Sequence, residues 1–229
     1  MVARRLFAPT AALALALVML QCLPAHAQGS DWVAYRDAYR AMVVFEKYGG
    51  PKSLLQQQLQ LVPRNPVADR AGVQLMVLGK TSQGHFPLDA TLRTVFPLAR
   101  AAYDENATLQ LSRPLGPFTV RPQVSLTLRP DNLYDTEQLR SGCEQALAYA
   151  RQLALFGARN CVGVRFVFSK GSAVASVMLA GARLPSAPGM PFAGDGDASF
   201  PVVTYRFAGT ERMPLVTASM PLAITPLFD

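Results

Sequence analysis

The chain has 229 residues, of which 50% are hydrophobic and only 16% charged. That balance buries a core of ordinary size and excludes a disordered, collagenous or coiled-coil protein. The formal net charge is +7, yet Lys and Arg dominate no short window and aromatics do not interleave with them, so no nucleic-acid partner is expected.

The first residues read as an export leader, 1–27. Arg4 and Arg5 open it, Ala11 to Leu20 form an apolar run, and Ala25-His26-Ala27 is a small-x-small cleavage site before Gln28. Its removal takes two arginines and lowers the net charge to +5. It also leaves no apolar run of the ~18 to 20 residues that cross a bilayer. The expected location is periplasmic or secreted, by the general secretory or the twin-arginine route. Cys22 departs with the leader. Cys143 and Cys161 remain as an even pair in an oxidising compartment, which points to a disulfide.

Along the mature chain, Ser30 can cap a first helix whose stripe is Trp32, Tyr35, Tyr39, Met42 and Phe45, ended by Gly49-Gly50-Pro51. Residues 51–62 read as a short helix running into a strand end. From Gly72 the period changes to two: Val73, Leu75 and Val77, then Phe86 and Leu88, then Ala107, Leu109 and Leu111 mark strands. The longest alternation is 118–129, with Arg121, Gln123 and Arg129 on its polar face; Pro122 requires an open edge or a bulge. Asp135 with Gln138 caps a second helix, ended near Gly157, that carries Cys143 on its buried side. Cys161 can reach Cys143 only if the chain doubles straight back, so the strand it opens should pack on that helix. Residues 161–168 and 173–179 read as a hairpin, 182–201 as a long surface loop, and 202–208 and 213–224 as two last strands.

Familiar catalytic machinery is scarce. His85 is the only mature histidine and sits at the start of a strand, and the chain lacks G-x-S-x-G, S-x-x-K, H-E-x-x-H and a phosphate-cradling glycine loop. Asp195-Gly196-Asp197-Ala198-Ser199 alternates oxygen ligands, but Phe200 and Arg206 stand where a calcium loop needs Gly and Glu. Glu137 and Glu144 share a helix face with Arg140 and Arg151, which reads as surface ion pairing. No catalytic residue, metal or cofactor is expected.

The stretch Val73–Arg113, through Leu88-Asp89-Ala90-Thr91-Leu92 and Ala102-Tyr103-Asp104, resembles the small β-sandwich modules of the transthyretin-like type. The resemblance covers under a fifth of the chain, departs from the pattern where the turn lacks its usual glycine, and implies adhesion or positioning rather than catalysis.

These readings give an α+β protein: an N-terminal helix, an antiparallel β-rich module, then a helix packed on a second antiparallel sheet. After the leader, the expected units are 28–130 and 131–229, or one continuous domain. The expected role is non-catalytic binding or scaffolding of an envelope protein or glycan. Arg121, Gln123, Arg129, Asp195 and Asp197 form the candidate surface. The alternative is an envelope hydrolase using acidic residues such as Glu137 or Asp197, recognisable by two carboxylates about 5 to 9.5 Å apart in a deep cleft.

Overall fold

The fold was obtained as a computed structural model that describes residues 32–65, 69–155, 159–171, 176–192, 195–196, 199–209 and 212–229. The leader and Ser30 lie outside them. In chain order the elements are β1 (Trp32–Ala34), α1 (Tyr35–Glu46), β2 (Leu55–Pro63), β3 (Gln74–Leu78), β4 (Gln83–Pro87) and β5 (Arg93–Thr94). They continue with α2 (Arg100–Asp104), β6 (Thr108–Leu111), β7 (Phe118–Leu126), β8 (Leu133–Tyr134), α3 (Thr136–Gln152) and β9 (Cys161–Val167). The last are β10 (Val177–Leu179), β11 (Ala182–Arg183), β12 (Ser186–Gly189), β13 (Phe200–Arg206), β14 (Leu215–Thr217) and β15 (Ala223–Phe228).

The expected α+β architecture is therefore corrected. Among the described residues the protein is mostly antiparallel β, with fifteen strands in three sheets and helices of only 12, 5 and 17 residues. Helix was overestimated at both ends of the first helical stretch. Trp32 is not in helix α1 but in a strand, paired with Gln110 and half exposed, while Tyr35, Ala38, Met42 and Phe45 are the buried helix face. Residues 55–63 are entirely strand, because Gln56, Gln57 and Gln58 offer no helical apolar period and cross-strand pairing decides.

The smaller sheets frame a larger one. β1, β6, β3 and β4 form the first four-stranded sheet, in that order. Three of its strands, β3, β4 and β6, come from the segment likened to a transthyretin-like module, whose β5 joins the central sheet instead. Glu105 ties its β3–β4 turn by accepting from the backbone N–H groups of Thr81 and Ser82, both at 2.8 Å. Hydrogen bonds from Ser82 and Thr81 hold that carboxyl down at about 2. β11, β10, β14 and β8 form the other four-stranded sheet.

The central sheet has seven strands in the order β12-β13-β9-β15-β7-β2-β5, drawn from both sides of residue 130. β7 and β2 pair without a break from Leu55↔Leu126 to Pro63↔Phe118. β15 meets β7 only at Leu126, which leaves the far edge of β7 open at exposed Pro122, as its missing N–H requires.

β9 does not form the expected hairpin with 173–179. It pairs with β13 on one edge and β15 on the other, while β10 joins the second small sheet. The reason is burial: Val164, Phe166 and Val167 are fully buried, so β9 is a central strand needing partners on both edges, and the C-terminal strands supply them. The expected loop 182–201 likewise contains β11 and β12, and three strands rather than two close the chain.

The helices cover one face of the central sheet. α1 lies over β2 and β7, and α3 over β9, β15 and β7. Asp135 caps α3 as expected, its carboxylate accepting from Gln138 N at 2.9 Å. Cys143 and Cys161 stand at disulfide distance, with Cα atoms 6.0 Å apart, so β9 does pack on that helix. Leu59, Val164, Phe166, Val203 and Ile224, all at 0% exposure, face the helices. Burying each such side chain contributes roughly 1.5–3 kcal/mol.

Candidate functional site

The opposite face of the central sheet has another chemistry. Its seven strands contain no Asp, Glu or Lys and four arginines: Arg93, Arg121, Arg165 and Arg206. Register places all four on the side away from the helices. Gln60 pairs with both Arg93 and Arg121; Arg165 pairs with Thr225 and Thr204; Arg206 stands two residues beyond Thr204. Gln56, Gln58, Gln123 and Ser125 share this face, and Val167, Phe200, Val202 and Ala223 form a buried apolar cluster on it.

The sheet curls around it. Arg93, on the last strand at one end, donates from Nη2 to the carbonyl of Leu222 at 2.7 Å, and its guanidinium lies 4.6 Å from the Phe192 ring that follows β12 at the other end. The Arg93 side chain is fully buried, with Asp89 Oδ2 at 2.8 Å from Nη2. Asp89 in turn accepts from Thr91 N, Thr91 Oγ1 and Arg93 N at 2.8, 2.6 and 3.1 Å. Burial pulls the Arg93 pKa down and Asp89 opposes it, and a guanidinium keeps its charge throughout. Arg93 Nη1 is buried with no hydrogen-bond partner.

A second acid–base group closes the curl. Asp195 Oδ1 accepts from Arg121 Nη2 in an ion pair and from Gln60 Nε2 at 3.2 Å, and Oδ2 accepts from Phe192 N at 3.1 Å. Arg121 Nε also donates to Gln60 Oε1 at 3.0 Å, and the Gln60 and Gln123 amides meet at 2.8 Å. Asp195 thus fastens the segment after β12 to β2 and β7. Beside this fastening opens a cleft of about 600 Å³, lined in part by Arg64, Asn65, Arg70, Asp195, Pro188 and Phe200.

Of the residues singled out from sequence, Arg121, Gln123 and Asp195 come together here. Arg129 does not: it pairs with Asp131, Nη2 to Oδ2 at 2.7 Å, beside a cleft of about 110 Å³. Hydrogen bonding from Arg129 and from the Leu133 backbone holds the Asp131 carboxyl down at about 2. Asp197 lies outside the described residues. Glu137 and Glu144 are exposed on α3, whose Arg140 donates to the Ala208 carbonyl at 2.9 Å instead. His85 is exposed on β4 opposite Met76. Sequence reading missed Arg93, Asp89, Gln60, Arg165 and Thr225. The signal was there in the strands of the central sheet, where every charge is an arginine.

Compared with known proteins, the chain matches no family model, no curated protein and no solved structure. Among the described residues no helix is long and apolar enough to cross a membrane, and no three His, Cys, Asp or Glu side chains converge as a metal site would need. Among the described residues the face offers guanidinium and amide donors, and its two carboxylates, Asp89 and Asp195, already accept on both oxygens.

Proposed function

We propose that the chain is an exported protein of the cell envelope, periplasmic or secreted, that binds a polar envelope component without chemically altering it. The observation that carries the reading is the cleft beside Asp195. It is concave, of about 600 Å³, within the range of ligand sites, and its walls mix apolar surface with a few charged and amide groups. The leader motif of residues 1–27 supports the envelope location, and cysteines at 143 and 161 suit an oxidising compartment. An envelope protein segment or a glycan both fit such walls.

A photo-crosslinking side chain introduced at Asn65, on the cleft wall, tests this in cells. His85, exposed on the edge strand β4, is the control position. Mass spectrometry is expected to find one abundant adduct at position 65, a protein or a glycan fragment, that position 85 does not give. Equal, background-level adducts at both positions would contradict the reading, and cytoplasmic protein retaining residues 1–27 would contradict the location.

A further inference from the structure

The small sheet β1-β6-β3-β4 also divides into two faces. Leu75, Val77 and Leu109 point into a core shared with Tyr35 and Met42 of α1. On the outer side, register draws one row across all four strands: Trp32 opposite Gln110, Gln110 opposite Met76, and Met76 opposite His85. Gln74, two residues before Met76, falls on the same side. Trp32, the only tryptophan of the chain, is 48% exposed on the edge strand β1, and Gln74 and Gln110 are half-buried beside it. The four strands contain no Asp, Glu, Lys or Arg, in a chain with 22 basic and 15 acidic residues.

Edge strands open to water ordinarily carry charge, which keeps them from pairing with other chains. Here both edges, β1 and β4, are without Asp, Glu, Lys or Arg, and an indole stands half open to water beside amides. Such a face has little to offer a ligand held by ion pairs. It is also small for a protein partner: four strands of at most five residues, at ~4.8 Å spacing and ~3.4 Å rise, cover roughly 300 Å², against ~800 Å² on each side of a standard interface. We propose that the β1, β6 and β3 part of this face is a platform for a neutral glycan. A sugar ring is apolar across its C–H face and polar around its rim. Trp32 stacks on the C–H face, and the Gln110 and Gln74 amides, each both donor and acceptor, meet the hydroxyls at the rim. Gln110 lies directly across from Trp32, with Cβ atoms about 5 Å apart, so ring and amide reach one and the same sugar. His85, three strand spacings or about 14 Å from Trp32, lies beyond the platform. The inference shares neither sheet nor residues with the cleft beside Asp195.

The test is titration of the mature protein with cellotetraose, maltotetraose and tetra-N-acetylchitotetraose, read by the emission of its sole tryptophan and by ¹⁵N–¹H NMR. At least one of the three is expected to change the Trp32 emission and shift the amides of 108–111 and 74–78, with a Kd of about 1 mM or tighter. Raising the salt from about 50 to about 500 mM should leave that Kd unchanged, since no ion pair is screened. Read by NMR, Trp32→Ala should weaken binding about tenfold and Trp32→Phe, which keeps a smaller ring, about threefold. Gln110→Ala should cost about fivefold, and it replaces the tryptophan variant should that fail to fold. No response to any of the three sugars, affinity that falls steeply with salt, or unchanged affinity in the variants would overturn the platform. So would a Trp32 emission that answers to phosphatidylcholine vesicles, or to protein concentration alone, and not to the sugars, which would assign the face to a bilayer or to a second copy. Failure here with capture at Asn65 intact removes this inference alone, and the converse removes the cleft reading alone.

Discussion

The two faces of the central sheet are built from the same strands and obey different rules. Under α1 and α3, Leu59, Phe166, Val203 and Ile224 are sealed at 0% exposure, and their contribution is the removal of apolar surface from water. On the other side the same strands present Arg93, Gln60, Arg121 and Arg165 beside a buried apolar cluster of Val167, Phe200, Val202 and Ala223, so folding there must match charges and amides as well as hide carbon. Both faces retain buried side-chain atoms without a partner, Gln57 on the first and Gln58 and Thr225 on the second. Strand alternation alone separates them, one residue to each side.

The largest effect expected is on the helix-covered face. Phe166→Ala, in the centre of β9, should cost about 3–5 kcal/mol in urea unfolding or prevent folding. A loss below about 1 kcal/mol would mean that this face is not the sealed core described. Next comes the one place where the polar face behaves like a core. Asp89→Ala strands the buried Arg93 guanidinium and should cost about 3 kcal/mol, whereas Arg93→Met, removing the charge itself, should cost much less. Equal losses would show that the pair acts only by packing.

The Cys143–Cys161 link joins the two faces, since it ties α3 to the strand that carries Arg165 on its far side. The chain between the two cysteines is short, a sequence separation of 18. Loop-closure entropy puts the worth of such a link at about 3 kcal/mol. Reduction should therefore lower the Tm and speed amide exchange in α3. Alkylation of the unreduced envelope form that finds two free thiols would contradict the link.

The smallest effect lies away from both faces, at Glu105. Its folded pKa of about 2 lies below the ordinary unfolded value, so its stabilisation is present above pH ~4.3 and is lost as the pH falls through about 2. Glu105→Gln should erase that pH-dependence. A carboxyl titration by NMR centred near 4 would show that the β3–β4 turn is not tied as described.

Much of the local structure was legible from residues close in sequence. Asp135 and Gln138 are three apart and cap α3; alternation marked β3, β6 and β7; and helix length plus a short return allowed the Cys143–Cys161 pairing. What failed depended on distant partners. β2 is glutamine-rich and takes its form from β7, and β9 finds β13 and β15 rather than the nearer β10. The site was half visible for the same reason. Arg121 and Gln123 stood out on an alternating face and Asp195 in a polar loop, but a sequence separation of 74 conceals the pairing of Arg121 with Asp195. Asp89 looked like a turn residue because its charge partner, Arg93, becomes meaningful only when the sheet curls and buries it.

The most direct measurement is a crystal structure of the mature protein. The expected result is Arg93 and Arg121 on one side of the central sheet, paired with Asp89 and Asp195, and Leu59, Phe166, Val203 and Ile224 under α1 and α3 on the other. Those arginines found facing the helices, or their carboxylate partners turned away from them, would contradict the account.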